Sequence, residues 1–165
     1  MQHKPSGNHE MKPPHEMKSH TNHYARLALM LLASFGAMYV LMYAMVDVVG
    51  NAIPNVNQVY MAGLMTAPML IIELILMASM YPNKTVNKIL LATGLVALGL
   101  FWSGIRSQAA IGDNQFLRSM IPHHAGALLM CKQADLRDPD LRSFCEKIIA
   151  GQQSEIDFMR KKLGR

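Results

Sequence analysis

At 165 residues, 51% apolar and only 16% charged, the chain is too apolar for an ordinary soluble domain and has room for one or two small units. Its formal charge of +5 has no basic stripe interleaved with aromatics behind it, which excludes a nucleic-acid module; Lys and Arg in segments flanking a membrane account for it. The cysteines, Cys131 and Cys145, form no Cys-x-x-Cys pair, so zinc-finger and thioredoxin readings have no support.

Residues 1–23 hold almost no apolar residue except Met and carry His3, His9, Met11, His15, Met17, His20 and His23 among Pro, Lys, Ser and Gly. This composition predicts a disordered tail, either solubilising or weakly metal-capturing. No cleavable signal peptide is evident, because the first apolar run follows a long polar tail and exceeds a signal h-region; it reads as an uncleaved signal anchor.

Residues 24–106 read as a transmembrane domain, since a spanning helix needs about 20 mostly apolar residues. Three stretches qualify, about 24–49, 59–81 and 89–105, the last being the shortest. Pro/Asn-containing turns separate them, Gly50–Gln58 and Tyr81–Lys88. Lys4, Lys12 and Lys18 precede the first span, Arg26 lies at its start, and Lys84 and Lys88 follow the second, against Arg106 and Arg118 after the third. The positive-inside bias therefore predicts a multi-pass protein of a bacterial inner membrane, with the N-terminus cytoplasmic and the C-terminal domain periplasmic or extracellular.

The chain has 15 Met. In the second span Met61, Met65, Met69 and Met77 recur at four-residue steps, with Glu73 filling the missing step, and the first span has Met38, Met42 and Met45. A four-residue step winds slowly around a helix, so these residues either fill gaps between helices or mark a soft-metal path. Glu73 inside an apolar segment is either functional or a protonated carboxyl bonded to a neighbouring helix. Pro68 is placed to kink this helix.

Residues 113–165 read as two helices joined by a short break, hence an antiparallel hairpin. The first carries Phe116, Met120, His123, Ala127, Met130 and Ala134 at 3-4 spacing, with Pro122 inside it. Asp138 offers an N-cap and Pro139 the first helical position of the second. Counting outward from the turn brings Cys131 level with Cys145, so Met120, His123 or His124, Met130, Cys131, Cys145 and Met159 share one expected seam. Imidazole, thioether and thiolate form a soft set suited to Cu(I) or Ag(I), whereas the carboxylate pattern of a di-iron site is missing. The two cysteines form either a disulfide or shared metal ligands. Adjacent histidines point about 100° apart on a helix, so only a distortion at Pro122 brings both into one seam.

The run Met120-Ile-Pro-His-His-Ala-Gly-Ala-Leu-Leu-Met130, with Asp113, Phe116, Asp138-Pro139, Ile148, Gln152, Glu155-Ile156 and Met159, closely resembles the family catalogued as domain of unknown function 305. The resemblance covers about the last third of the chain. It implies a ferritin-like helical bundle and, as in characterised relatives, export and Cu(I) or Ag(I) binding through Met and His, with Met120, His123, His124, Met130 and Met159 as ligands. Ala125 and Leu129 depart from the Gln and Asp that many members carry, and no further Met-rich segment follows the motif. One hairpin cannot bury a bundle core, which implies homo-oligomerisation or packing on the membrane helices.

The expectation is thus an all-α, membrane-anchored, exported binding protein for Cu(I), with Ag(I) as a second ion, acting in copper tolerance or delivery. Its partners are the metal ion and membrane lipid, and no nucleophile–base pair argues for an enzyme. One alternative is a copper transporter with Met61, Met65, Met69, Glu73 and Met77 along its path. Three spans and Met-x-x-x-Met resemble eukaryotic-type copper permeases, although the charge bias puts the tail on the opposite side and the third span lacks Gly-x-x-x-Gly. The other alternative is a structural or partner-binding membrane module without metal.

Overall fold

A computed structural model describes the backbone of residues 15–164 and the side chains of residues 23–164. The His/Met tail at residues 1–14, and the side chains of His15, Met17 and His20, lie outside that description. The described residues are all-α: α1 (His15–Leu41), α2 (Val56–Leu76), α3 (Lys84–Ser107), α4 (Asp113–Gln133) and α5 (Pro139–Lys162), with short 3₁₀ turns at Met42–Met45, Val49–Asn51 and Ala78–Met80.

Three stretches are long and apolar enough to cross a membrane, His23–Met45, Val56–Leu76 and Lys84–Ser107. The third is not the shortest, as composition suggested, but the longest. Its polar first turn is already helical because the Asn83 side chain accepts from the Thr85 and Val86 N–H groups. The outer faces expose Leu29, Leu32, Ile72, Ile75, Val96, Leu100 and Trp102, a surface that lipid rather than water would cover. Inside, α2 and α3 meet through small residues. The Phe101 ring lies on Gly63, where a Cβ would overlap it, Tyr60 packs on Gly104 and Ile71 on Gly94.

α4 and α5 pack against each other, joined by five residues and by the Cys131–Cys145 disulfide, with Cα atoms 5.3 Å apart. Asp138 caps α5 by accepting from Asp140 N–H at 2.8 Å, and Pro139 opens the helix. α4 runs through Pro122 without a break. The core of this pair holds Ile121, Ala125, Leu128, Ile156 and Met159, together with Ile53 from the segment between α1 and α2. That segment supplies what one helix pair lacks: a third apolar layer. Each fully buried Ile or Leu in it contributes roughly 1.5–3 kcal/mol.

The inserting segment exists because the helical run of the first span stops earlier than its apolar composition suggests. After Leu41 it tightens to a 3₁₀ turn and turns extended at Val46. Asp47 then accepts from Val48 N–H and the Asn51 amide, at 2.9 and 2.7 Å, which folds the chain back. Lys132 of α4 bonds Asp47 at 3.1 Å, and Arg160 of α5 donates to Asn51 at 2.8 Å. The helix pair is therefore docked on the ends of α1 and α2 by an apolar plug with polar latches around it.

Candidate functional site

α4 presents two stripes. Ile121, His124, Ala125 and Leu128 are buried toward α5 and the Ile53 plug. Met120, His123, Ala127 and Met130, at 3-4-3 spacing, line a cavity of about 510 Å³ on the other side. The second stripe is the one expected to line the α4–α5 seam. It faces the apolar half instead, because the branched side chains one step over fill the seam more completely.

The opposite wall of the cavity comes from the end of α1 and the start of α2, with Met42 and Met45 from the 3₁₀ turn and Met61 from the second turn of α2. Tyr43, Asn55, Asn57 and Gln58 complete it, and these polar groups already have partners. The Tyr43 hydroxyl donates to Ile53 C=O at 2.9 Å, Asn55 accepts from Gln58 N–H at 2.9 Å, and the Gln58 amide donates to Tyr39 C=O at 3.3 Å. Asn57 donates to Gln108 and Ser119, at 3.1 and 3.3 Å. The groups lining the cavity with no recorded bond are five thioethers and the His123 ring. The Met45 carbonyl faces Gly126 of α4, where a Cβ would lie 3.5 Å from that oxygen, an ordinary contact.

The two histidines of the motif part ways. His124 is buried, with Nδ1 2.8 Å from the Met120 carbonyl and Nε2 2.7 Å from a Glu155 carboxylate oxygen. Both ring nitrogens are thus engaged within the helix pair, and the ring does not line the cavity. His123 is exposed, lines the cavity and stands with its ring centroid 6.0 Å from that of His124. No distortion at Pro122 brings the rings to one face, so His124 leaves the expected donor set.

Three more expected donors leave it. Met159 is 6% exposed in the core with Ile121 and Ile156 and does not reach the cavity. Cys131 and Cys145 are bonded to each other, so neither offers a thiolate, and they border a separate hollow with Asp135, Arg142 and Glu146. Among the described residues no cluster of three or more His, Cys, Asp or Glu could hold a metal. What the cavity offers is sulfur.

The methionines of α2 split as helix geometry requires. Each four-residue step turns about 40°, so Met61 faces the cavity while Met65, Met69 and Met77 wind away from it. Glu73 is not mid-span. It lies in the last turn of α2, at the far end from the cavity, where it accepts from the Tyr81 hydroxyl at 3.1 Å. Met42 and Met45 were visible in the sequence at three-residue spacing but were not among the expected site residues. Nothing in the sequence shows that the first helix ends beside α4.

The comparisons with known proteins follow this architecture. The family model described as Domain of unknown function (DUF305) matches residues 77–163, beginning well before α4 and taking in α3. Uncharacterized protein L153 of Acanthamoeba polyphaga mimivirus is 34% identical over 140 residues, covering 83% of this chain and 90% of the relative. An alignment of that length cannot be confined to α4 and α5 and takes in much of the apolar half. No solved structure matches. The chain belongs to the DUF305 family.

Proposed function

We propose that this is a membrane-anchored binding protein for soft metal ions, Cu(I) first and Ag(I) by the same chemistry, acting in copper tolerance or delivery. The observation that carries the reading is the α4 stripe Met120, His123 and Met130 facing a cavity whose hydrogen-bonding groups are otherwise engaged. Neutral thioethers with one imidazole suit a soft monovalent ion and serve Zn²⁺ or Mg²⁺ poorly. The α4–α5 pair is read as an antiparallel hairpin of ferritin-like bundle type. The positive-inside bias argues for this pair on the periplasmic or extracellular side. The mechanism is capture and release without covalent chemistry, so the protein is read as no enzyme.

The test is Cu(I) competition between the full chain in detergent and a chromophoric Cu(I) chelator. Met120→Leu/His123→Ala is expected to weaken binding at least tenfold, with Glu73→Gln as a control near wild type. Equal binding by wild type and the double variant would sink the reading and leave a structural module. A second reading, transport, is favoured by Met61 alone, since it is both a cavity residue and the first Met of Met-x-x-x-Met in α2. Metal uptake into proteoliposomes, lost in Met61→Leu/Met65→Leu, decides for it.

A further inference from the structure

We infer that the soft-ion site is composite: Met120 and His123 of α4 share one ion with one or two of the thioethers Met42, Met45 and Met61 of the apolar half, and the ion clamps the helix pair to the ends of α1 and α2. This rests on the soft-metal reading above and adds a second wall to it.

The first argument is reach. Met120 and His123 are one turn apart on α4, but Met130 is ten residues from Met120, about 15 Å along the axis. One ion held by Met120 and His123 therefore gets two donors from α4, not three. The missing donors stand across the cavity. Met42 and Met45 occupy a 3₁₀ turn, in which residues three apart eclipse, so both thioethers leave the same side of the chain. Met61 enters from α2 beside them. Unbranched Met side chains adapt to such a gap at little cost.

The second argument is that these thioethers are not simply filler. A filler methionine lies in a packed interior, as Met159 does at 6% exposure, whereas Met45 is 56% exposed, Met61 37% and Met130 55%, all bordering an open cavity. Met38, one turn before Met42, shows the other fate. It lies outside the cavity and its sulfur accepts weakly from the Thr66 hydroxyl at 3.8 Å.

The third argument is coupling. Donors on both walls bind together only while the Ile53 plug and the Asp47–Lys132 latch hold the two parts in place. An ion that binds only the docked arrangement must stabilise it by mass action. The ion is then a reporter of, and a brace for, the junction.

The experiment uses the full chain in detergent with Cu(I), or Ag(I) where oxidation interferes. Met42→Leu/Met45→Leu/Met61→Leu is nearly volume-conserving and leaves α4 untouched. It is expected to weaken binding at least tenfold and to lower the sulfur count around Cu(I) in X-ray absorption. Ag(I) is expected to slow hydrogen exchange at residues 46–55 in the wild type and not in this variant. Met38→Leu/Met77→Leu, outside the cavity, is expected to bind within about twofold of wild type and reports on general damage. If the triple variant binds like wild type while Met120→Leu/His123→Ala does not, the site belongs to α4 alone and the composite site is wrong. If neither variant changes binding, the soft-metal reading falls with it.

Discussion

The two ends of the three apolar helices are built differently. At one end, Tyr24, Glu73, Tyr81 and Asn87 close a polar network: Tyr24 donates to Asn87 at 2.8 Å, the Asn87 amide to Tyr81 C=O at 2.8 Å, and Tyr81 to Glu73 at 3.1 Å. The Tyr24 and Tyr81 rings pack with centroids 5.3 Å apart. At the other end, thioethers and one imidazole border an open cavity, while the amides around them bond to backbone groups, Gln108 and Ser119. Glu73, open on sequence between a functional and a bonded structural role, accepts from Tyr81. The methionines, filler or soft-metal path on sequence, border open space at three positions of the apolar half. Satisfied polar groups hold a fold together, and unsatisfied soft donors around a void are what a ligand can use.

The comparison is tested hardest at the plug. Ile53→Ala removes a side chain 2% exposed between Ile121, Leu128 and Ile156 and is expected to cost about 2–4 kcal/mol. The loss should appear as faster hydrogen exchange across residues 117–128, and metal affinity should fall with it. An unchanged exchange pattern would mean that the helix pair holds itself together without the apolar half.

Next in size is the disulfide. It closes a loop of sequence separation 14, worth about 3 kcal/mol by loop entropy. Cys131→Ser/Cys145→Ser is expected to lower the melting temperature while leaving Cu(I) affinity within about twofold. A large loss of affinity would restore the cysteines to the donor set.

A smaller effect separates the histidines. His124→Ala should cost about 1–3 kcal/mol by deleting a buried ring and its bonds to the Met120 carbonyl and Glu155, with little change in metal affinity. His123→Ala should do the reverse, because its ring is exposed and lies outside the buried core of the helix pair. Equal stability losses in both would remove the distinction between a positioning and a binding histidine.

These contrasts mark how far the sequence could be read. The helical class, the three apolar stretches and the Asp138-Pro139 start of α5 follow from local composition and caps, which act within a few residues. What did not follow was tertiary. Periodicity showed an apolar stripe through Met120, His123 and Met130 but could not say whether it met α5 or the end of α1. The adjacent stripe through Ile121 and Leu128 was as apolar and better shaped for the seam. Glu73 was misplaced because the helix end at Leu76 is set by the turn that follows, not by hydropathy. The Ile53 plug lay within a Pro/Asn turn, where a single Ile carries no periodic signal. The near 100° offset between adjacent helical residues did separate His123 from His124 in advance, although it could not say which faced the cavity.

The smallest effect expected is the acid response of the latch. Burial alone would push the Asp47 carboxyl up, but bonds from the Asn51 amide and Lys132, the charge of Lys132 and the Val48 N–H outweigh it and hold the group below the usual carboxylate value. A carboxyl whose folded value is lowered stabilises the docked form above its unfolded value, about 3.9, and loses that contribution as pH falls through the folded value. Docking should therefore be unchanged from about pH 8 to 5 and loosen only below about pH 4. Lys132 is 41% exposed, so solvent screening limits the ion pair itself to about 1 kcal/mol or less. Hydrogen exchange at residues 46–55 across this range measures it, and Asp47→Asn should flatten the acid limb. Equal acid loosening in Asp47→Asn and in the wild type would show that the latch contributes nothing to docking.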